Sequence, residues 1–379
     1  MRHLMTVVCL TLVTHWPACM KGQDVTEASI RQDLMSHAVP LHSSGEAVLL
    51  KEADQHQYVL LGELHGENEI PNLISALWPS LWREGYRHVA AEVSPWAASQ
   101  LQEPAAKDAT PVPGLWTRTQ AAEVSRFAAP HQSVLWGCDI EEGQPDRLIR
   151  QMASLNPKDG RLRVMLEVAS NGYSRQRAPQ LLQLAQSDRP AHDVSIGGES
   201  LWQSTLDTLR VEALRSDAHT RYFASDERER VMKDLFLNHL NQEPQDKVLL
   251  RFGRNHLHRG LDARGISTLG NFVTELSLAQ GHSVVNVGVF AAGGKEHLAG
   301  QTFDADERQD ELAFAFLASL SGSDATLFEL RDLRPMLHAI PSEKRTALET
   351  NLIYWADSYD FLLCYPTVSP LTDVSADPR

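Results

Sequence analysis

The chain has 379 residues, a formal net charge of −14 at pH 7, 42% apolar and 22% charged residues, and 4 cysteines. This mixture excludes a chain disordered throughout, and the acidic balance excludes a basic nucleic-acid footprint and speaks against docking on anionic lipid. Four cysteines are too few for a disulfide scaffold, and the length suits one large α/β unit with an insert.

Residues 1–22 read as an export signal. Arg2 and His3 make a short polar start, and Leu4 to Val13 is an apolar core too short to span a bilayer. His15, Trp16 and Pro17 break it, Ala18 offers a small residue for cleavage, and Cys19 offers a lipid anchor. The expected location is therefore the periplasm, either free or as an outer-membrane lipoprotein. No other window holds the roughly 18 apolar residues of a membrane helix. Residues 23–379 are then one α/β domain.

Tyr58 to Leu61 is a buried-strand run ending at Gly62. A helix is expected from Ile70 to Gly85, with Pro71 in its first turn and Pro79 as a kink. His88 to Ala91 is the next strand, ending at Glu92. Ser94 to Leu101 and Thr117 to Ala129 read as helices around a Pro- and Ala-rich loop from Glu103 to Gly114. Ser133 to Cys138 is a third strand, ending at Asp139. This rhythm predicts a mainly parallel sheet flanked by helices.

From about 145 to 245 helical patterns dominate: Asp146 to Leu155, Arg161 to Ala169, Pro179 to Gln186, Leu201 to Leu214 and Asp226 to Leu240. We expect a helical insert or cap, with Ser225 as N-cap of its last helix. Lys247 to Phe252 returns to strand, followed by a helix Leu269 to Ala279, a strand Ser283 to Phe290, a helix Glu307 to Leu320 and a strand Tyr359 to Cys364. The tail from Pro370 reads as loose. Cys138 and Cys364 sit in strand-like runs, where a periplasmic disulfide and two buried thiols are both open.

Ligands of open α/β sheets bind at the carboxyl ends of strands. By this reading Glu63 and His65, Glu92, Asp139, and His256 with His258 stand there. An echo supports the set: Gly62-Glu63-Leu64-His65 and Gly253-Arg254-Asn255-His256 each follow an apolar run. Converging imidazoles and carboxylates can activate water, with a His as base oriented by a carboxylate, or hold Zn, Mn or Co through His65, Glu92 and His256. His256 and His258 would point to opposite sides if the strand continued. Arg228 and Arg230, ahead of an apolar helix, are candidates to anchor an anionic substrate group. There is no His-Glu-x-x-His, no Gly-x-Ser-x-Gly and no Cys-x-x-Cys, and Ala291-Ala292-Gly293-Gly294-Lys295 lacks the spacing of a P-loop.

Gly62-Glu63-Leu64-His65-Gly66, Glu92 after a strand, and Gly253-Arg254-Asn255-His256 together resemble the superfamily of erythromycin-esterase-like hydrolases, ChaN-like haem-uptake lipoproteins and TraB/Tiki-type proteins. Trp136 to Asp139, Arg228-Glu229-Arg230, Leu269-Gly270, Tyr359-Asp360 and Val368-Ser369-Pro370 are further echoes, so the resemblance spans about residues 55 to 370. The esterase branch implies a His base with Glu partners and no required metal, the Tiki branch a metal-dependent peptidase, and the ChaN branch haem binding without turnover. Two residues separate Gly62 from His65, where macrolide esterases usually have three. The pair His256 and His258 resembles the paired histidines of the esterases.

The leading expectation is an exported hydrolase acting on an ester or amide in a small-molecule or peptide substrate. His65 is the base, Glu63 its orienting partner, and Glu92 and His256 hold the water or the developing oxyanion; Asp139, Arg228, Arg230 and His258 bind substrate. No cofactor is expected to be required. The alternatives are a haem- or metal-binding uptake lipoprotein, a metal-dependent peptidase, and a degenerate scaffold.

Overall fold

Short apolar runs ending in glycine or a charged residue do become strands. The computed structural model describes residues 25–102, 134–170, 174–196, 198–298 and 301–371. The export signal with Cys19, the loop at 103–114, the helix read at 117–129 and the tail beyond 371 lie outside the described residues. The strands are β1 Val39–Pro40, β2 Tyr58–Glu63, β3 Tyr86–Ala91, β4 Leu135–Gly137, β5 Ser195–Ile196, β6 Glu199–Ser200, β7 Lys247–Gly253, β8 Val284–Leu298, β9 Gln301–Asp306, β10 Thr326–Glu329 and β11 Phe361–Tyr365.

Nine of them form one sheet in the order β1-β10-β11-β8-β2-β7-β3-β4, with β9 paired to β8. From β11 to β4 every pair is parallel. β1, β10 and β9 add antiparallel edges. The fold is thus α/β with a mainly parallel sheet between helices. Period-two alternation sends Tyr58 and Leu60 of β2, and Val248, Leu250 and Phe252 of β7, into a core with the helix Arg221–Gln242. Leu61, Val89 and Leu249 enter the opposite core with the helix Glu69–Arg83, which contains Pro79.

Helices Pro145–Leu155, Gly160–Ser170, Ala178–Ala185, Leu201–Arg215 and Arg221–Gln242 follow β4. The first four share a separate cluster that includes Leu148, Met152, Leu162, Leu181 and Leu209. The last starts earlier than expected, after Thr220, so Ser225 lies inside it and is not its N-cap. Nothing between Arg221 and Ala224 breaks a helix, and the Ser225 hydroxyl accepts from Arg264 instead, at 3.2 Å.

Other differences have local causes. β8 runs on to Leu298 because its outer half pairs with β9 beyond the core, where Lys295, Glu296 and His297 hide the strand pattern. The helix expected from Glu307 is only Leu312–Ala318 behind a short turn, because the Glu307 carboxylate is taken by Arg254 and by the Ala291 N–H. Helices Glu27–His37, Glu46–Gln55, Leu333–His338 and Ala347–Ser358 were not legible in the sequence pattern. Cys138 and Cys364 are both buried free thiols.

Candidate functional site

The two Gly-x-x-His turns leave neighbouring strands at the same end of the sheet. β2 and β7 pair in register with Glu63 opposite Gly253, and β7 also pairs with β3, whose next residue is Glu92. His65 lies two residues past β2, and His256 ends a 3₁₀ turn, Arg254–His256, directly after β7. Two glycines are required here. A Cβ on Gly253 would stand 2.6 Å from His65 Nε2, and Gly66 turns at φ 89° with its Cα against the backbone of His297.

The side chains form a chain of alternating charge. Arg251 Nε donates to Glu63 Oε2 at 2.6 Å, and Glu63 Oε1 lies 3.4 Å from His65 Nδ1. His65 Nε2 lies 3.5 Å from Glu92 Oε2, which accepts the Gly253 N–H at 2.7 Å. Glu92 Oε1 accepts from Arg228 Nη2 at 2.7 Å and lies 3.5 Å from His256 Nε2. His256 Nδ1 is 2.5 Å from Glu229 Oε1, and Glu229 Oε2 accepts the Leu269 N–H at 2.8 Å. Glu229 therefore sits at the start of the helix Leu269–Gln280, where the helix dipole favours a carboxylate, and it aims Nε2 of His256 at Glu92. Asp139 holds Arg228 through two contacts of 3.0 and 2.5 Å.

Glu63, Glu92 and Glu229 are buried, and the His65 side chain is 29% exposed. Five carboxylates, Glu63, Glu92, Glu229, Asp139 and Glu142, face two guanidiniums, Arg228 and Arg251, so the surplus of negative charge favours both imidazoles protonated. Burial opposes charging His65, but Glu92 and Glu63 outweigh it and raise its pKa to about 9. Burial likewise opposes His256, and Glu92 and Glu229 raise it to about 10. Burial pushes the Glu92 carboxyl up, but His256, His65 and Arg228 hold it well below the usual range. Glu63 is also held low, against burial, by Arg251 and His65.

Glu63, His65, Glu92, His256, Asp139 and Arg228 are thus brought together. Arg230 and His258 are not. Residues two apart on a helix point to different faces, so Arg228 enters the site and Arg230 faces outward to Glu227 and Asp234. His258 is buried among Tyr354, Trp355 and Tyr359, with Nδ1 3.1 Å from Ser358 Oγ, and burial lowers its pKa to about 4. Sequence reasoning gave Glu229 no role beyond its place in Arg228-Glu229-Arg230, and missed Arg251 and Glu67. A charged residue inside the apolar run of β7 was the available signal for Arg251. Glu67 is 2% exposed, its Oε2 has no hydrogen-bond partner, and burial with the nearby Glu63 pushes its pKa up to about 8.

His65, Glu92 and His256 do not make a ready metal set. The imidazoles address different oxygens of Glu92, and those oxygens already accept from Gly253 and Arg228. The group of described residues whose ligand atoms all lie within 4.8 Å of one another is elsewhere: His88, Glu243 and Asp246.

No family model matches the chain, and no curated protein matches it in sequence. Solved structures do match. A Bacillus cereus protein is 15% identical with a TM-score of 0.60, over 93% of this chain and 100% of that one. A succinoglycan biosynthesis protein is 14% identical with a TM-score of 0.56, over 91% and 98%. A histidine-to-asparagine mutant of the erythromycin esterase EreC, in its open conformation, is 13% identical with a TM-score of 0.52, over 86% and 94%. The fold is therefore erythromycin-esterase-like.

Proposed function

We propose that the chain is an exported hydrolase that activates water at His65 against an ester or amide. The observation that carries this reading is His65 itself, a part-exposed imidazole between two buried carboxylates at the carboxyl end of the sheet. The likeness to an erythromycin esterase supports a hydrolase. Contacts of 3.4 and 3.5 Å are longer than ordinary hydrogen bonds, so neither carboxylate locks the ring, and in this reading Nε2 receives the water. Neutral His65 takes a proton from that water as its oxygen bonds to the substrate carbonyl carbon. Glu63 orients the ring through Nδ1. Charged His256 and Arg228 supply the positive field for the oxyanion. Collapse of the tetrahedral species breaks the bond to the alcohol or amine, which leaves with the proton from His65.

Metal is not required in this reading, because the oxygens of Glu92 are already used within the protein. In this reading residues 1–22 are an export signal, the activity is periplasmic, and Cys19 is the candidate lipid anchor.

The test is hydrolysis of a panel of small esters and amides by wild type, His65→Ala and Glu92→Gln, with and without a chelator. We expect chelation to leave the rate unchanged, and His65→Ala to lower it by about 10²–10⁴-fold. Loss of activity on chelation, restored by Mn or Co, would move the protein to the metal-dependent peptidase reading. No turnover, with a Soret shift on stoichiometric haemin, would make it a haem carrier.

A further inference from the structure

The opposite end of the sheet holds a second group of ligand-type side chains. His88 lies near the start of β3, about 13 Å along the strand from Glu92 at ~3.3 Å per residue. Its Nε2 is 2.5 Å from Glu243 Oε2 and 3.0 Å from Asp246 Oδ2. Both carboxylates come from the turn between the helix Arg221–Gln242 and β7. We propose that His88, Glu243 and Asp246 bind a divalent cation of the zinc type, which clasps β3 to the turn feeding β7.

The donor chemistry favours this reading. A ring nitrogen carries at most one hydrogen, so Nε2 cannot give each anion its own donor. A divalent cation in place of that hydrogen serves both carboxylates at once, and two carboxylates with a neutral imidazole match its charge. One imidazole nitrogen and two carboxylate oxygens with a fourth position for water are ligand types that zinc accepts, whereas Mg²⁺ prefers oxygen ligands alone.

The surroundings are preorganised around the imidazole. His88 is buried and stacks on Trp136, with centroids 4.3 Å apart and planes at 22°. Trp136 stacks in turn on His239, at 5.0 Å and 6°. The ring plane is thus held by aromatic faces, and Nε2 is left aimed at the carboxylates. Glu243 and Asp246 are 44% and 37% exposed, so ions reach them from solvent. Lys247, next in the chain, turns its ammonium to the carbonyls of Ala53 and Asp54 and does not compete. At metal bonds of about 2.0–2.1 Å, tetrahedral ligand atoms sit about 3.3 Å apart, so these half-exposed carboxylates need to retreat by less than about 1 Å.

The experiment is equilibrium dialysis of the full chain against Zn²⁺ in excess Mg²⁺, with metal content read by elemental analysis. Wild type and His65→Ala should each retain one zinc per chain. Glu243→Gln and Asp246→Asn, at half-exposed positions that do not threaten folding, should bind at least about tenfold more weakly. Cobalt in place of zinc should give a visible absorption band in wild type that is absent in His88→Gln. No zinc retained by wild type would overturn the proposal. So would equal affinity in Glu243→Gln, or zinc that is lost in His65→Ala and kept in Glu243→Gln, because the ion would then belong to the cluster at the other end of the sheet. The hydrolytic reading does not depend on any of these outcomes.

Discussion

The turns after β2 and β7 begin alike, Gly-x-x-His after an apolar run, and end with different mechanics. His65 is 29% exposed, and its carboxylate partners stand 3.4 and 3.5 Å away. The His256 side chain is 11% exposed and is gripped at 2.5 Å by Glu229, itself fixed to the start of a helix. One imidazole can meet a substrate and exchange a proton. The other is a held positive charge. A repeated motif in sequence therefore ends in two different environments, and the difference comes from the residues behind each ring.

Removing those supports should show the contrast most strongly. Glu229→Ala leaves His256 buried and charged without its partner, and removes the acceptor of the Leu269 N–H. Breaking such a buried pair costs about 3–5 kcal/mol. A fall of that size in denaturant unfolding is expected, with the hydrolytic rate falling too. His65→Ala should change stability by less than half as much, while losing the most activity. Equal destabilisation by the two substitutions would mean that the turns are mechanically equivalent.

Gly253→Ala sharpens the comparison from the other side. The added Cβ would meet His65 Nε2 at 2.6 Å, and the ring must move. A displacement of about 1 Å in a reacting group can cost on the order of 10²-fold in rate. We expect a loss approaching that in kcat, with a far-ultraviolet spectrum unchanged from wild type. An unaltered kcat would show that His65 is not held in its reactive position by this contact.

Activity and stability should follow opposite trends with pH. His65, at about 9 in the folded protein, must be neutral to accept a proton, so the rate should climb with pH up to about 9 and then level. Both His65 and His256 titrate higher folded than unfolded, where an imidazole lies near 6.5. Their stabilising contribution is complete below about pH 6.5 and is lost as pH rises through about 9–10. Glu67, raised from 4.5 to about 8, loses its contribution earlier, between about pH 4.5 and 8. Activity should therefore rise over a range in which the melting temperature falls. A rate that is flat between pH 7 and 9 would remove His65 as the base.

Much of this site was legible in the sequence because the parallel sheet puts its polar residues where apolar runs stop. Glu63, His65, Glu92, Asp139 and His256 were all found by that rule. Glu229 was quoted only within Arg228-Glu229-Arg230 and given no role, because the face of its helix was not fixed by sequence. Arg251 was hidden because it sits inside a strand, paired across to Glu63. His258 misled because it shares the loop with His256, while the chain turns between them and buries it under aromatic rings. In the fold, the parallel strands carried clear apolar signals. The antiparallel edges did not: β1 has two residues and β9 is largely exposed.

Arg228 and Arg230 give the smallest effect and the cleanest control. They are two residues apart on one helix, and sequence alone treats them alike. Arg228 is buried against Glu92 and Asp139, and its loss would leave both carboxylates without their guanidinium. Arg230 is 45% exposed and pairs with the exposed Asp234 and with the part-buried Glu227 and Asp207. Exposed pairs of this kind contribute about 0–1 kcal/mol and are screened by salt. Arg230→Ala should therefore leave kcat and KM within about twofold of wild type, and lower stability by at most about 1 kcal/mol, less at high salt. Arg228→Ala should lower both activity and stability severely. A rise in KM for an anionic substrate in Arg230→Ala, with kcat unchanged, would return Arg230 to the substrate path and show that the mouth of the site extends over the outer face of the helix.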